Sequence, residues 1–100
     1  MMAVKIVIPT PLRPYAGKHE TVEVDGRTVG EALERLTREF AELRRHLYTD
    51  DGKLRSFVNI YINDEDIRYL EKEQTALKEN DVISIVPSIA GGARPGKEQN

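Results

Sequence analysis

The chain has 100 residues, which is the size of one domain and too short for two independent cores. Its composition of 39% apolar and 32% charged residues is that of an ordinary globular protein, and it excludes a disordered or membrane chain. The formal net charge of only -2 provides no basic field, which argues against nucleic acid as a main partner.

Two short strands are predicted at the start of the chain. Residues 3–8, "AVKIVI", alternate so that Val4, Ile6 and Ile8 share one face. Residues 20–24, "ETVEV", alternate in the same way, and the Asp-Gly pair that follows closes the strand. These two strands are expected to pair antiparallel, with a proline-rich connection between them.

From Thr28 the apolar spacing changes to steps of three and four, which predicts a single helix. The positions that form its apolar stripe are Leu33, Leu36, Phe40, Leu43 and Leu47. Thr28 and Glu31 have the spacing of a capping box, which marks the start of the helix. The basic residues Arg44, Arg45 and His46 fall in the last turn, where positive charge suits the helix dipole.

The second half of the chain predicts three more strands. Residues 56–63, "SFVNIYIN", alternate strictly, and the acidic turn "NDED" ends the run. The stretch "IRYL" is predicted as a short strand, and "TALKEND" as a turn. Residues 82–87, "VISIVP", form the last strand, with Ile83 and Ile85 on one face.

The predicted order is strand, strand, helix, strand, short strand, strand. One helix stripe packed on one mixed sheet gives an α+β fold of the β-grasp type. The first and last strands are the most continuously apolar runs, so they are expected to lie side by side, parallel and central. We therefore predict a single domain over residues 1–90, without internal repeats.

The sequence supplies few groups for catalysis, metal binding or membrane insertion. The absence of cysteine excludes disulfides, thiolate sites and a cysteine nucleophile, and His19 and His46 are the only imidazoles. The carboxylates of Asp64, Glu65 and Asp66 are adjacent rather than spaced two apart like calcium-loop ligands, so a solvated turn and no metal are predicted. No apolar run approaches the ~20 residues of a membrane span, so the chain is expected in the cytoplasm.

Residues 88–100, "SIAGGARPGKEQN", have no strand or helix period and are predicted to form a flexible tail. The segment up to Gly92 can reach roughly 17 Å from the last strand, at ~3.3 to 3.6 Å per residue. Because glycine lacks a Cβ, Gly91 and Gly92, preceded by the small Ala90, let the backbone thread a narrow channel. A double glycine near a terminus more often marks flexibility alone, and from composition both interpretations stand.

Three stretches resemble the MoaD/ThiS family of ubiquitin-like sulfur carriers: "IPTPLRPYAGK", "SFVNIYINDEDIRYL" and "VISIVPSIAGG". The resemblance covers nearly all of residues 3–92 and is strongest to the sulfur carriers of cysteine biosynthesis. It implies that the chain is a carrier and not an enzyme, with no bound cofactor. An E1-like enzyme that uses ATP would adenylate the Gly92 carboxylate. The resulting thiocarboxylate would donate sulfur to a synthase of cysteine, or in molybdopterin- or thiamine-type pathways.

The chain departs from the family pattern after the second glycine, where many members end. It continues with the eight residues "ARPGKEQN", so Gly92 is held in a peptide bond as translated. The resemblance implies cleavage between Gly92 and Ala93 by a zinc-dependent JAMM-type metalloprotease. Alternatively, the extension is a non-native addition, or the chain no longer carries sulfur.

Apolar residues that the strand pattern turns away from the helix form a candidate docking surface. Phe57, Tyr61 and Val86 are expected on the outer face of the sheet, and Leu12 lies in a loop that joins them. An exposed apolar group beside the tail is where an activating enzyme would dock. Scattered surface hydrophobes are nevertheless normal, so this surface is a hypothesis.

Two other functions fit the same sequence. A ubiquitin-like modifier would use the same adenylate but join Gly92 to lysines of target proteins. A plain β-grasp binding module would not need the tail at all. Fold alone does not separate these functions or the sulfur-accepting pathways.

Overall fold

The computed structural model describes residues 3–87, which form a five-stranded mixed sheet packed against two helices. The strands lie in the spatial order β2-β1-β5-β3-β4. Their bounds are β1 Ala3–Val7, β2 Thr21–Asp25, β3 Val58–Ile62, β4 Glu65–Asp66 and β5 Val82–Pro87. The predicted α+β class with one mixed sheet is confirmed.

The centre of the sheet is formed by the first and last strands. β1 and β5 pair parallel, with Ile6 opposite Ile83, as the two most apolar runs predict. β1 also pairs antiparallel with β2, and β5 pairs antiparallel with β3. β5 is thus enclosed by a neighbour on each side, and this fixes the position of its last residue, Pro87.

The predicted single helix is wrong in one respect, because it is divided in two at Phe40. α1 spans Val29–Glu39 and α2 spans Ala41–Leu47. Phe40 has φ -121° and ψ 83°, which lie outside the helical region. The steps of three and four continue across the break, so the apolar spacing does not reveal it.

The start of α1 follows the predicted capping box. The Thr28 hydroxyl accepts a hydrogen bond from the backbone N–H of Glu31 at 3.2 Å. The Glu31 carboxylate reaches back and accepts from the N–H of Arg27 at 2.8 Å. Two N–H groups at this helix end are therefore satisfied by side chains.

Three segments form short 3-10 helices: Thr10–Tyr15, Ile67–Tyr69 and Lys72–Gln74. The first replaces a predicted loop, and the second corrects the strand predicted for "IRYL". The short strand lies earlier, because Asn63 and Asp64 both adopt positive φ, 47° and 77°. This tight turn folds β4 directly back onto the end of β3, so pairing ends before Ile67.

The core lies between the sheet and the apolar stripe of α1 and α2. The inward isoleucines of the central strands, Ile6 and Ile83, are fully buried, as are Leu33, Leu36 and Leu43 from the helices. This is the packing that the alternation in the strands and the steps of three and four in the helices predict. Within residues 3–87, neither helix is long and apolar enough to cross a bilayer.

Candidate functional site

The candidate site lies at the carboxyl end of β5. Pro87, the last residue of the strand, is opposite Val58 in β3. Proline has no N–H to donate, and Val58 donates its own N–H to the carbonyl of Arg55 at 2.9 Å. Pro87, the last described residue, therefore lies beside the start of β3. The predicted reactive and cleavage positions, Ala90, Gly91, Gly92 and Ala93, lie outside the described residues.

Two of the four predicted docking residues lie together on the outer face of the sheet. Tyr61 is opposite Ser84, so its side chain lies diagonally next to Val86 on the same face. These three residues and Asp64 line a shallow groove of about 330 Å³. Val86 is 43% exposed, which is high for a valine inside a strand. We call these four residues the outer-face patch.

The other two predicted docking residues belong to a different surface. Leu12 is 8% exposed, so the prediction that it adds to an exposed apolar group is wrong. The 3-10 helix at Thr10–Tyr15 turns this side chain toward the core, where it contributes to the apolar cluster. Its remaining surface and Phe57, which is 40% exposed, line a second groove that also includes Pro87.

This second groove, which we call the tail-base groove, combines apolar and basic walls. It has a volume of about 380 Å³ and is lined by Leu12, Arg45, His46, Arg55, Phe57 and Pro87. None of these residues carries a carboxylate. The His46 ring stacks on Tyr15 with centroids 4.0 Å apart, and its Nε2 is buried without a hydrogen-bond partner within residues 3–87.

Arg55 connects the groove to the end of α2. Its Nε–H donates to the carbonyl of Arg45 at 2.9 Å, and its backbone N–H donates to the carbonyl of Leu47 at 2.8 Å. Both acceptors lie in the last turn of α2, where carbonyls lack helical partners and positive charge is favourable. Arg55 therefore has a structural role in addition to its charge in the groove.

A charged cluster borders the outer-face patch. The Arg68 guanidinium donates to Asp66 Oδ2 at 2.9 Å and to Asn59 Oδ1 at 2.6 Å. Asp66 is opposite Tyr61 in the sheet, so the ion pair lies next to the patch. The side-chain hydrogen bonds from Arg68, then that from its backbone N–H, lower the pKa of the Asp66 carboxyl below its ordinary value.

The described residues do not bring a metal site together. Within residues 3–87 there is no group of three or more histidine, aspartate or glutamate side chains that could hold an ion. The turn at Asn63 and Asp64 is exposed, and the Asn63 side chain donates a hydrogen bond from Nδ2 to the Asp81 carboxylate.

Comparison with known proteins identifies the family. The model of the ThiS family matches residues 6–92. The chain belongs to the ThiS family. It is 39% identical to the protein named sulfur carrier protein CysO from Mycobacterium tuberculosis, over 91% of this chain and all of the relative. The resemblance inferred from the three sequence stretches is confirmed.

Solved structures agree with this assignment. The BexX/CysO complex of Amycolatopsis orientalis contains a chain with TM-score 0.80 and 36% identity, covering 89% of this chain and 99% of that chain. Small archaeal modifier protein 1 of Methanosarcina acetivorans matches with TM-score 0.80 and 32% identity, covering 92% and 98% respectively. The β-grasp fold predicted from the element order is confirmed by these similarities.

The tail-base groove was missed from sequence. Its walls come from four separate segments of the chain, and only the tertiary fold brings them together. One signal was available: Arg45 and His46 were identified in a helix end, and Pro87 as the end of a strand. The spacing of apolar residues along the chain does not show that the end of α2 and the end of β5 lie side by side in the fold.

Proposed function

We propose that the chain is a sulfur carrier whose reactive group is the Gly92 carboxylate, exposed by removal of residues 93–100. It acts as the co-substrate of partner enzymes rather than as an enzyme. The observation that supports this most directly is that a central strand ends at Pro87 and that the family match continues to residue 92. Relatives named sulfur carriers match over nearly the whole chain.

The chemistry uses the main-chain terminus, which suits a sequence without cysteine. A carboxylate is a poor electrophile, so an E1-like partner first supplies a leaving group. A Gly92 carboxylate oxygen attacks the α-phosphorus of ATP, and pyrophosphate leaves. A sulfur nucleophile from a donor then attacks the acyl carbon and displaces AMP. The product is a thiocarboxylate that passes its sulfur to an acceptor synthase, in cysteine biosynthesis or in a molybdopterin- or thiamine-type pathway.

Intact-mass measurement tests this proposal. Chain 1–92, incubated with an E1-like enzyme, ATP and a sulfide donor, should gain the mass difference between sulfur and oxygen. Chain 1–92 with a carboxamide end is the matched control, because it has the same length and no carboxylate. The full 100-residue chain should also remain unmodified. Modification of the amide form or of the uncut chain would show that the Gly92 carboxylate is not the reactive group.

Removal of the extension requires a separate step, which we assign to a JAMM-type metalloprotease acting between Gly92 and Ala93. The protease should convert the full chain into a product of residues 1–92 and release the octapeptide "ARPGKEQN". Gly91→Val is an informative variant, because a branched side chain should obstruct the narrow channel of such an enzyme. An uncut chain that is fully active as a carrier would contradict this step.

The outer-face patch is the proposed docking surface for the activating enzyme. It lies on the outer face of β5 and β3 near the carboxyl end of β5, and Val86 is 43% exposed there. Tyr61→Glu should weaken the complex by about 10- to 30-fold, because a charge would replace a central apolar contact. Tyr69→Glu is the matched control, since Tyr69 is 87% exposed in the 3-10 helix after β4. Equal affinities for the two variants would count against the patch.

A modifier that joins Gly92 to lysines of other proteins is the second candidate. The similarity to small archaeal modifier protein 1 favours it. The two functions share the adenylate and differ in the acceptor. An immunoblot that shows a ladder of high-mass conjugates supports the modifier, whereas one small species that carries sulfur in place of oxygen supports the carrier.

A further inference from the structure

A further groove, with polar walls, lies among the helices. It is formed by the start of α1, the end of α2 and the 3-10 helix Lys72–Gln74, and it has a volume of about 330 Å³. We call it the glutamate groove, and the side chains that matter for its chemistry are Glu31, Glu34, Arg44, Tyr48, Glu73 and Gln74. It shares no lining residue with the tail-base groove or the outer-face patch.

The main chain holds the walls of this groove together. The N–H of Val29 donates to the carbonyl of Thr75 at 3.1 Å, which fastens the segment after the last 3-10 helix to the start of α1. Gly30 allows this close approach, because a Cβ at that position would lie 3.2 Å from both the Cβ and the carbonyl oxygen of Glu73. Glu73 is therefore positioned beside α1 by the backbone of both segments.

The carboxylates of the groove are only partly compensated. Glu34 pairs with Arg38 at 3.3 Å, but both side chains are more than half exposed, so this ion pair is weak. Glu31 accepts one capping hydrogen bond at 2.8 Å. Glu73 makes no hydrogen bond or ion pair with any residue of the stretch 3–87. Three carboxylates and the guanidinium of Arg44 give the lining a formal charge of -2.

Tyr48 is an independent indication of a ligand. The residue is only 8% exposed, and its hydroxyl forms no hydrogen bond with the described part of the chain, although a buried tyrosine hydroxyl usually has a partner. The charged groups that act on this hydroxyl are Glu73, Arg44 and Glu34, which all line the groove, so the hydroxyl faces into it. Burial, and then Glu73, raise the pKa of Tyr48 to about 12, so near neutral pH the hydroxyl can both donate and accept.

A primary ammonium group matches these walls. It carries one positive charge and three N–H donors, so it can bind two carboxylates and a hydroxyl oxygen at once. A divalent metal ion does not match, because residues 3–87 contain no group of three or more acidic or histidine side chains that could hold one. Such an ion needs several oxygens at about 2.0–2.6 Å. An ammonium on a flexible alkyl stem tolerates acceptors that converge less closely.

We propose that the glutamate groove binds a primary alkylammonium group, of the kind that a lysine side chain carries, with Glu73, Glu34 and Tyr48 as its hydrogen-bond acceptors. The guanidinium of Arg44 lies 4.9 Å from the centroid of the Tyr48 ring, so it covers the ring and repels the ligand through its charge. The site does not involve Gly92. It therefore goes beyond the proposed function and does not depend on it.

An NMR titration of the full chain with Nα-acetyl-lysine amide tests the site. At low ionic strength, the backbone signals of Glu73 and Gln74 should shift and saturate with a Kd on the order of 1–10 mM. The Nε-acetylated form is the matched control, because it has nearly the same shape and no charge, and it should cause no such shifts. Equal shifts with both forms, or no saturation, would overturn the proposal. Saturable binding of Ca²⁺ that is tighter than that of the lysine amide would also overturn it.

A parallel titration with spermidine identifies the source of the ammonium group. Binding of spermidine more than about tenfold tighter than the lysine amide would support the site as one for free polyamines. Affinities within that factor would support a lysine side chain of a partner protein.

Variants of the full chain separate this binding from a structural role. Glu73→Gln should weaken binding of the lysine amide by about threefold to tenfold, and Tyr48→Phe, which keeps the ring, by about threefold. Arg44→Gln should strengthen binding by about twofold, because it removes a repelling charge, whereas a purely structural role predicts a loss. Glu23→Gln, at an exposed position on β2, is the charge-matched control and should leave the affinity unchanged. Equal effects of Glu73→Gln and Glu23→Gln would overturn the site.

Discussion

Replacement of Asp81 by alanine is expected to destabilise the fold by about 2 kcal/mol. Asp81 precedes β5 and is only 9% exposed. Its Oδ1 accepts from Asn63 Nδ2 at 2.9 Å, and its Oδ2 accepts from the backbone N–H of Lys78 at 2.8 Å. The Asn63 amide in turn accepts from the N–H of Val82 through Oδ1 at 3.0 Å. The carboxylate therefore joins the turn after β3 to the start of β5.

The magnitude follows from what the substitution leaves behind. Hydrogen bonds to a charged acceptor contribute about 1.5–3 kcal/mol each, and a donor left unpaired in a buried place costs a similar amount. The N–H of Lys78 is partly buried, whereas the Asn63 side chain is exposed and can turn to water. Full loss of the hydrogen bond from Lys78 and partial loss of the one from Asn63 together cost about 2 kcal/mol of stability. This corresponds to a fall of roughly 8–16 °C in melting temperature for a domain of this size.

Urea denaturation followed by circular dichroism measures this difference. Asp81→Asn keeps one acceptor oxygen and should fall between the wild type and Asp81→Ala. Glu79→Ala is the matched control, because Glu79 is exposed on the same turn and should change stability by less than about 0.5 kcal/mol. If Asp81→Ala were no more destabilising than the control, the network would not hold β5 in place and the reasoning would be wrong.

Three further predictions concern other parts of the fold. Burial, with a smaller contribution from a nearby glutamate, raises the pKa of Tyr48 from 10.0 to about 12, so the folded state holds this proton more tightly. Stability should therefore fall as pH rises from about 10 to 12, and Tyr48→Phe should remove that part of the fall in urea titrations. Arg68→Ala should raise the pKa of the Asp66 carboxyl toward its ordinary 3.8 in a carbon NMR titration, whereas an unchanged pKa would contradict the pairing. Gly26→Ala would place a Cβ 2.9 Å from the backbone N of Ala32, so it should destabilise by about 1–3 kcal/mol in thermal melts, and a neutral effect would show that this turn can shift.

Four of the five strands, and the central parallel pair of the sheet, could be predicted because each depends on a local period and a simple rule. Alternation over residues 3–8 and 82–87 predicted two buried strands, and their apolar content predicted that they pair parallel in the centre. The start of α1 was predicted for the same reason, since the hydrogen bonds to the Thr28 hydroxyl and the Glu31 carboxylate join residues three and four apart. Interactions within one turn or one strand can be inferred from spacing alone.

The features that sequence did not predict depend on contacts between distant residues. The helix break at Phe40 interrupts no apolar step, so only the packing of α2 against the rest of the fold reveals it. Leu12 was expected in an exposed loop, yet the segment Thr10–Tyr15 forms a 3-10 helix that buries it. The split of the four predicted docking residues between two surfaces follows from this one error, because a buried Leu12 meets Phe57 in a groove rather than Tyr61 on the sheet face.

The position of the candidate site is determined by the core rather than by the tail. Ile83 and Ile85 are buried, and a shift of β5 by one residue would turn both toward solvent and Val86 toward the core. The free-energy cost of exposing two isoleucines, about 3–6 kcal/mol, therefore fixes the register of the strand. Since Pro87 follows two residues after Ile85, the same burial fixes the position of Pro87 at the carboxyl end of β5. The buried isoleucines of β5 thus determine where the outer-face patch and the tail-base groove lie, because Val86 and Pro87 are held in the same strand.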